Sequence, residues 1–198
     1  MVARADMESA SAGAPISASV QTEAAPRLDL LQASCSMPTP RATVVPLRDH
    51  PEHCAFFASS FEAEWPSWYG PGGPGHAHAD LQSFANERGA LPVGVIALAP
   101  GNLPLGVAAL KAASIPGQSH RSPWAAAGYV VPAWRRQGIG ALLLAALVAE
   151  AARLGHETVY CATGTAQSLL VRQGWSFVES VVHDGHPLQV FRRPVPRS

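Results

Sequence analysis

The sequence is poor in the features that announce a function most directly. Only three cysteines occur in 198 residues, Cys35, Cys54 and Cys161, at wide and unpatterned spacings. That excludes a disulfide framework or a zinc motif and fits a reducing compartment. Fourteen Lys and Arg are balanced by fourteen Asp and Glu. No net charge therefore draws the chain to nucleic acid or to an anionic membrane surface. No apolar run is long enough to span a membrane; the longest, Ile139 to Val148, reads as one helix turned toward a core. A basic start followed by an apolar block is also missing, which argues against a secretory signal. What these absences leave is a cytoplasmic protein with one domain of ordinary size.

Residues 1–40 are rich in Ala, Ser, Pro and Gln, with hardly an aromatic. Such a segment buries too little apolar area to offset its ordering entropy and reads as a disordered tail. From residue 41 to 198 the texture is that of a folded domain. ATVVPL is a first strand, and 51–64 a helix with Ala55, Phe56, Ser59, Ser60 and Ala63 near helical spacing, ended by Trp65-Pro66. GPGGPG, at 70–75, is a loop, and a short helix covers about 78–88. LPVGVIALA and LPLGVAALKAA, split by Pro100-Gly101-Asn102, predict an antiparallel hairpin.

WAAAGYVV is a strand, and a helix follows over 138–154 with Ile139, Leu142, Leu143, Ala146 and Leu147 on one face, stopped by Gly155. ETVYCAT completes a βαβ unit, so its strand should lie parallel to WAAAGYVV. AQSLLVRQ is a short helix closed by Gly174. Two last strands meet at His183-Asp184-Gly185-His186, where Asp-Gly signals a hairpin. The fold class is α/β: a mixed, mostly antiparallel sheet of six to seven strands with helices on both faces.

The most informative stretch is WRRQGIGALLLAAL, residues 134–147. A helix start carries unpaired backbone N–H groups and a partial positive charge, which suits phosphate, and glycine lets the anion approach the amides. Arg135, Arg136, Gln137, Gly138, Ile139, Gly140 and Ala141 thus form a candidate pyrophosphate seat. A dinucleotide fingerprint would need a further glycine at 143, which is Leu, and a phosphate-binding Gly-Lys-Ser/Thr is missing.

This loop resembles the acyl-CoA loop of the GNAT acetyltransferase superfamily, Arg/Gln-x-x-Gly-x-Gly/Ala, through Arg135, Gly138 and Gly140. Val130-x-Pro132 before it, the Leu-rich helix after it and the later Gly174-Trp175 follow in family order over about residues 42–194. EWPSWYG near residue 64, SPW at 122–124 and the closing Gly-Trp look like a bacterial branch of that family. The resemblance implies the GNAT fold, with a splayed central pair of parallel strands, acetyl-CoA as cosubstrate and a primary amine as acceptor. It assigns the pantetheine to the strand edge at Tyr129, Val130 and Val131, with the N–H of Val130 as oxyanion donor. Gly128 is expected to mark the bulge that opens the gap.

Two departures from the family pattern stand out. Many relatives carry a Tyr four residues before the Gly of Gly-aromatic to protonate the leaving sulfur, and here that residue is Leu170. Where relatives often place a Glu, this strand reads Ala125-Ala126-Ala127. The remaining catalytic candidates are Glu64 and Tyr129, each with a bland alternative as a solvated helix-end carboxylate or a packed ring. Trp65, Trp68, Tyr69 and Trp124 are candidates for the acceptor wall, with core aromatics as the equal reading. The scarcity of acids there argues against a polycationic acceptor. The competing function is a non-catalytic acyl-CoA-binding sensor or interaction module. His50/His53 and His76/His78 have ligand-like spacings but no third partner at motif spacing, so no metal is assigned. A homodimer is common in such folds, although no residue here demonstrates one.

Overall fold

Residues 41–86, 89–183 and 185–196 are described by a computed structural model; the expected tail at 1–40 lies outside the described residues. Strand β1 (Thr43–Pro46) leads through two short 3-10 turns to α1 (Cys54–Glu64), α2 (Pro66–Tyr69) and α3 (Ala77–Phe84). The hairpin β2 (Val93–Ala99) and β3 (Leu103–Lys111) follows, then β4 (Trp124–Val130), α4 (Ile139–Arg153), β5 (Thr158–Thr163) and α5 (Gln167–Arg172). β6 (Ser176–His183) and β7 (His186–Pro194) close the chain. All seven strands join one sheet in the order β1-β2-β3-β4-β5-β7-β6. The pair β4–β5 is parallel and the others are antiparallel, as the βαβ unit and the hairpin signals require.

Helices cover both faces of the sheet, and period-two alternation sorts the strand side chains between them. Val93, Val95, Ala97, Leu105, Leu110 and Ala125 pack with Ile139, Leu143 and Leu147 of α4. Ile96, Leu98, Val107, Ala109 and Tyr129 pack with Phe57, Phe61 and Leu81 of α1 and α3. This double covering explains why β2 is buried along its whole length.

Three local expectations are corrected. The inward stripe of α1 is Cys54, Phe57, Ala58 and Phe61, at i, i+3, i+4 and i+7, while Ala55, Phe56, Ser59 and Ala63 are exposed. Two competing stripes exist in a helix with so little charge, and the one holding two Phe rings buries more apolar area. In α4 the inward stripe is Ile139, Leu143, Leu147 and Ala151, and Leu142 is left 42% exposed. An Ala/Leu helix that is apolar all round leaves its facing undetermined by periodicity. The third helix, α3, stops at Phe84.

Candidate active site

β4 and β5 are paired only at Trp124 and Tyr160, fixed by the Tyr160 N–H donating to the Pro123 carbonyl at 2.9 Å. Beyond that point the two strands diverge. The opening begins at a bulge: Ala126 and Tyr129 sit opposite Ala109 and Val107, so Ala127 and Gly128 together face the single residue Ala108. The strained residue of this bulge is Ala127, at φ 51°, rather than Gly128. A cleft of about 400 Å³ fills the gap, lined by β4, the inward side of α4, Thr163 to Ala166 and Leu170.

Backbone polarity follows from strand alternation. The Val131 N–H donates to the Leu105 carbonyl on the β3 side, so the N–H of Val130, one residue earlier, points the other way, toward the cleft. Pantetheine is itself an extended amide chain, and an unpaired strand edge is the natural partner for one.

The loop leading to α4 is exposed from Arg135 to Gly138. Arg136 at φ 64° and Gly138 at φ 84° both lie in the left-handed region. Left-handed residues are a feature of backbone nests that bind anions. Inside α4 the first donors are Ala141 and Leu142, both to the Gly138 carbonyl. Among the described residues the N–H groups of 136–140 donate to nothing. Five consecutive free amides at a helix mouth are an arrangement that suits an anion. Gly140 also lines the cleft, and a Cβ there would lie 3.2 Å from Leu169 Cδ2.

The two loop arginines divide their work. Arg135 donates through Nη2 to Glu64 Oε2 at 2.8 Å and through Nε to the Val130 carbonyl at 2.9 Å, with its guanidinium 5.6 Å from the Tyr129 ring. It is therefore a strut between the end of α1 and the end of β4. Arg136 makes no ion pair among the described residues and stands exposed beside the free amides. Gln137 turns inward to donate to the Ala133 carbonyl.

Glu64 and Tyr129 come together, but neither is free for proton chemistry in the simple way the sequence suggests. The carboxylate of Glu64 is already occupied by Arg135. Tyr129 is 8% exposed, wedged among Phe57, Phe61 and Trp65, although it also borders the cleft. Leu170, 1% exposed, contributes only hydrocarbon to the cleft wall. Cys161 lines it too, and desolvation pushes its thiol up to about 12, so it stays protonated.

The four candidate acceptor aromatics separate. Trp65 lines the cleft, and Tyr69 sits against Phe61 and Trp65 with its hydroxyl donating to Asp80 Oδ2 at 2.7 Å. Trp68 is 43% exposed. Trp124 is a core residue, not a wall: it is 1% exposed, its Nε1 donates to the Arg121 carbonyl at 2.7 Å, and Tyr160 packs on its ring. Sequence reasoning missed Thr163 and Thr165 at the mouth of the cleft. Thr163 Oγ1 accepts the amides of Thr165 and Ala166, a start signal for α5 that the Thr-Gly-Thr segment already carried.

Comparison with known proteins bears on this geometry. Residues 57–174 match the model of the acetyltransferase (GNAT) family. Among solved structures, yncA of Salmonella typhimurium, with its cofactor acetyl-CoA, aligns with a TM-score of 0.61 at 15% identity, over 79% of this chain and 95% of that one. An aminoglycoside 6'-N-acetyltransferase complexed with coenzyme A aligns at 0.64 and 14% identity, over 79% and 99%. The GNAT domain of S. lividans PAT gives 0.57 and 17%, over 77% and 90%. At these identities the likeness is one of fold. No curated protein matches the sequence.

Proposed function

The chain belongs to the acetyltransferase (GNAT) family and is an acetyl-CoA-dependent acetyltransferase; on that premise we propose that it acetylates a primary amine by direct transfer, through the following residues. The diphosphate of CoA is held by the amides of Arg136, Gln137, Gly138, Ile139 and Gly140, with the side chain of Arg136 alongside, whereas the Ala141 amide is already spent on the Gly138 carbonyl. Arg135 braces the cradle through Glu64. Val130 and Val131, with the backbone of Tyr129, take the pantetheine along the open edge of β4. Trp65, Trp68 and Tyr69 form the acceptor wall. The observation that carries this reading is the run of five unpartnered amides ending at Gly140, a residue that also lines the cleft.

In the reaction, the free amine forms an N–C bond to the thioester carbonyl. Negative charge gathers on the carbonyl oxygen, where the Val130 N–H can donate to it. The C–S bond then breaks and CoA leaves as a thiolate. With leucine at 170, no side chain of the usual kind protonates the sulfur. An unperturbed thiol has a pKa of about 8.5, so departure as thiolate is tolerable, but general acid help worth roughly 10²–10⁴-fold is forgone. The proton of the acceptor ammonium passes to solvent directly, or by way of the Tyr129 hydroxyl or a Glu64 released from Arg135.

The EWPSWYG and Gly174-Trp175 segments support membership of a bacterial branch of the family, and we assign the working domain to residues 41–198. The balanced charge and the lack, among described helices, of one long and apolar enough to cross a membrane support a cytoplasmic site of action on a small-molecule or peptide amine. The test is to offer acetyl-CoA with a broad panel of small amines, peptides and protein N-termini and to measure released CoA thiol. Turnover with at least one acceptor is expected. Silence across the panel with CoA binding intact would leave an acyl-CoA sensor instead.

A further inference from the structure

We propose that His50, Glu52 and His53 form a binding site for a divalent transition ion of the zinc type, apart from the acyl-CoA cleft. Sequence spacing offered only the two histidines; the fold supplies the third donor from between them. The segment 47–53 forms two short 3-10 turns between β1 and α1, and Pro51 starts the second of them. This backbone brings His50 Nδ1 to 3.3 Å and His53 Nε2 to 3.8 Å from the same oxygen, Glu52 Oε1. One donor atom from each residue lies within 4.8 Å of the others. Ligands about 2.0–2.2 Å from a tetrahedral zinc stand roughly 3.3–3.6 Å from one another. The cluster is therefore close to ligating geometry before any ion enters.

Two further features point the same way. His53 Nε2 is shut off from solvent and has no hydrogen-bond partner. An imidazole nitrogen left so is a cost to the fold that a metal ion would remove. Asn102, in the turn between β2 and β3, donates through Nδ2 to Glu52 Oε1 at 3.1 Å, an outer contact that orients the carboxylate. Two imidazoles and one carboxylate are a donor set for zinc, nickel or copper rather than for calcium or magnesium. With three protein ligands, the fourth position is left to water. None of the three residues lines the cleft. Because Asn102 belongs to the β2–β3 turn, the filled site would clasp the start of α1 to the sheet.

The experiment titrates chelator-treated full-length protein with Zn²⁺ by calorimetry and follows its melting temperature. One saturable equivalent is expected, with Tm raised by about 5 °C at a hundredfold excess over Kd. Glu52→Gln, at an exposed side chain, and His53→Gln should each weaken zinc binding about tenfold or more. His76→Gln/His78→Gln and His183→Gln/His186→Gln should leave it unchanged. Acetyl-CoA affinity should not move in any of these variants, which separates this site from the proposed transferase chemistry. Absence of a saturable equivalent would overturn the proposal. So would affinity retained in a folded Glu52→Gln protein, or lost in either of the remote double variants.

Discussion

On the α4 side of the sheet the candidate site is built from main chain and small residues. On the α1–α3 side it is built from aromatic rings. The first region presents the free amides of 136–140, the Val130 N–H and a cleft wall of Ala, Gly and Leu. The second presents Trp65 and Tyr129 packed edge-on and Tyr69 packed at a tilt against Phe57, Phe61 and one another, at ring separations of 4.9 to 6.3 Å. A main-chain site recognises a constant ligand, because every residue carries the same amide. A ring-walled site takes its specificity from which side chains stand where. The contrast suits a protein that keeps one cosubstrate and adapts the other, and it can be tested face by face.

The largest effect expected is one of stability. Trp124→Ala should cost about 3–5 kcal/mol, because the ring is 1% exposed and its N–H is bonded. Trp65→Ala, half-buried at the cleft, should cost distinctly less. Denaturant melts of the two variants compare them directly, and equal losses would mean that Trp65 is core too. Next comes Gly138→Glu. A Cβ at φ 84° adds backbone strain of about 1–2 kcal/mol, and the carboxylate repels phosphate at the same spot. CoA affinity should fall about a hundredfold by calorimetry, and a change below threefold would mean that the phosphates of CoA sit away from this loop.

The same contrast governs what the sequence made legible. The α4 side was readable because its signals are local. Gly138, Gly140 and the V-x-P before them fix a turn, and a turn fixes where amides point. The strand order β4–β5 followed from a single βαβ unit. The α1–α3 side was not readable, because a ring's role depends on the direction in which a helix or strand aims it. Trp124 and Trp65 look alike in sequence, yet one is buried with its N–H on the Arg121 carbonyl and the other lines the cleft. The strut from Arg135 to Glu64 joins residues far apart in the chain, and no periodicity announces it. The bulge lies at Gly128 as expected, but its left-handed position fell to the neighbouring Ala127, which no local signal announces.

A smaller effect should separate the two ligands. Trp65→Ala should raise the acceptor KM about tenfold, the scale of one lost aromatic contact of about 1.4 kcal/mol, while CoA affinity stays put. The measurement is steady-state kinetics with each substrate varied in turn. A parallel loss of CoA affinity would show that the two faces are not independent.

The smallest effect concerns the tie between α2 and α3. Burial, and after it the hydrogen bond and negative charge of Asp80, raise the pKa of Tyr69, so the fold favours the neutral phenol. A group raised in the folded state adds stability that is fully present below the unfolded value, about 10 for Tyr, and is lost as pH climbs beyond it. Tyr69→Phe deletes that contribution. For a half-exposed bond the loss at pH 8 should be about 0.5–1 kcal/mol, or about 1–4 °C in Tm. Above pH 10 the gap between the wild-type protein and Tyr69→Phe should close, because the unfolded wild-type chain gains by ionising its tyrosine there. Melts of both proteins from pH 8 to 10.5 measure this directly. A constant gap would mean that Tyr69 stabilises this face by packing alone, and the ring-walled side would then owe its order to shape rather than to any polar contact.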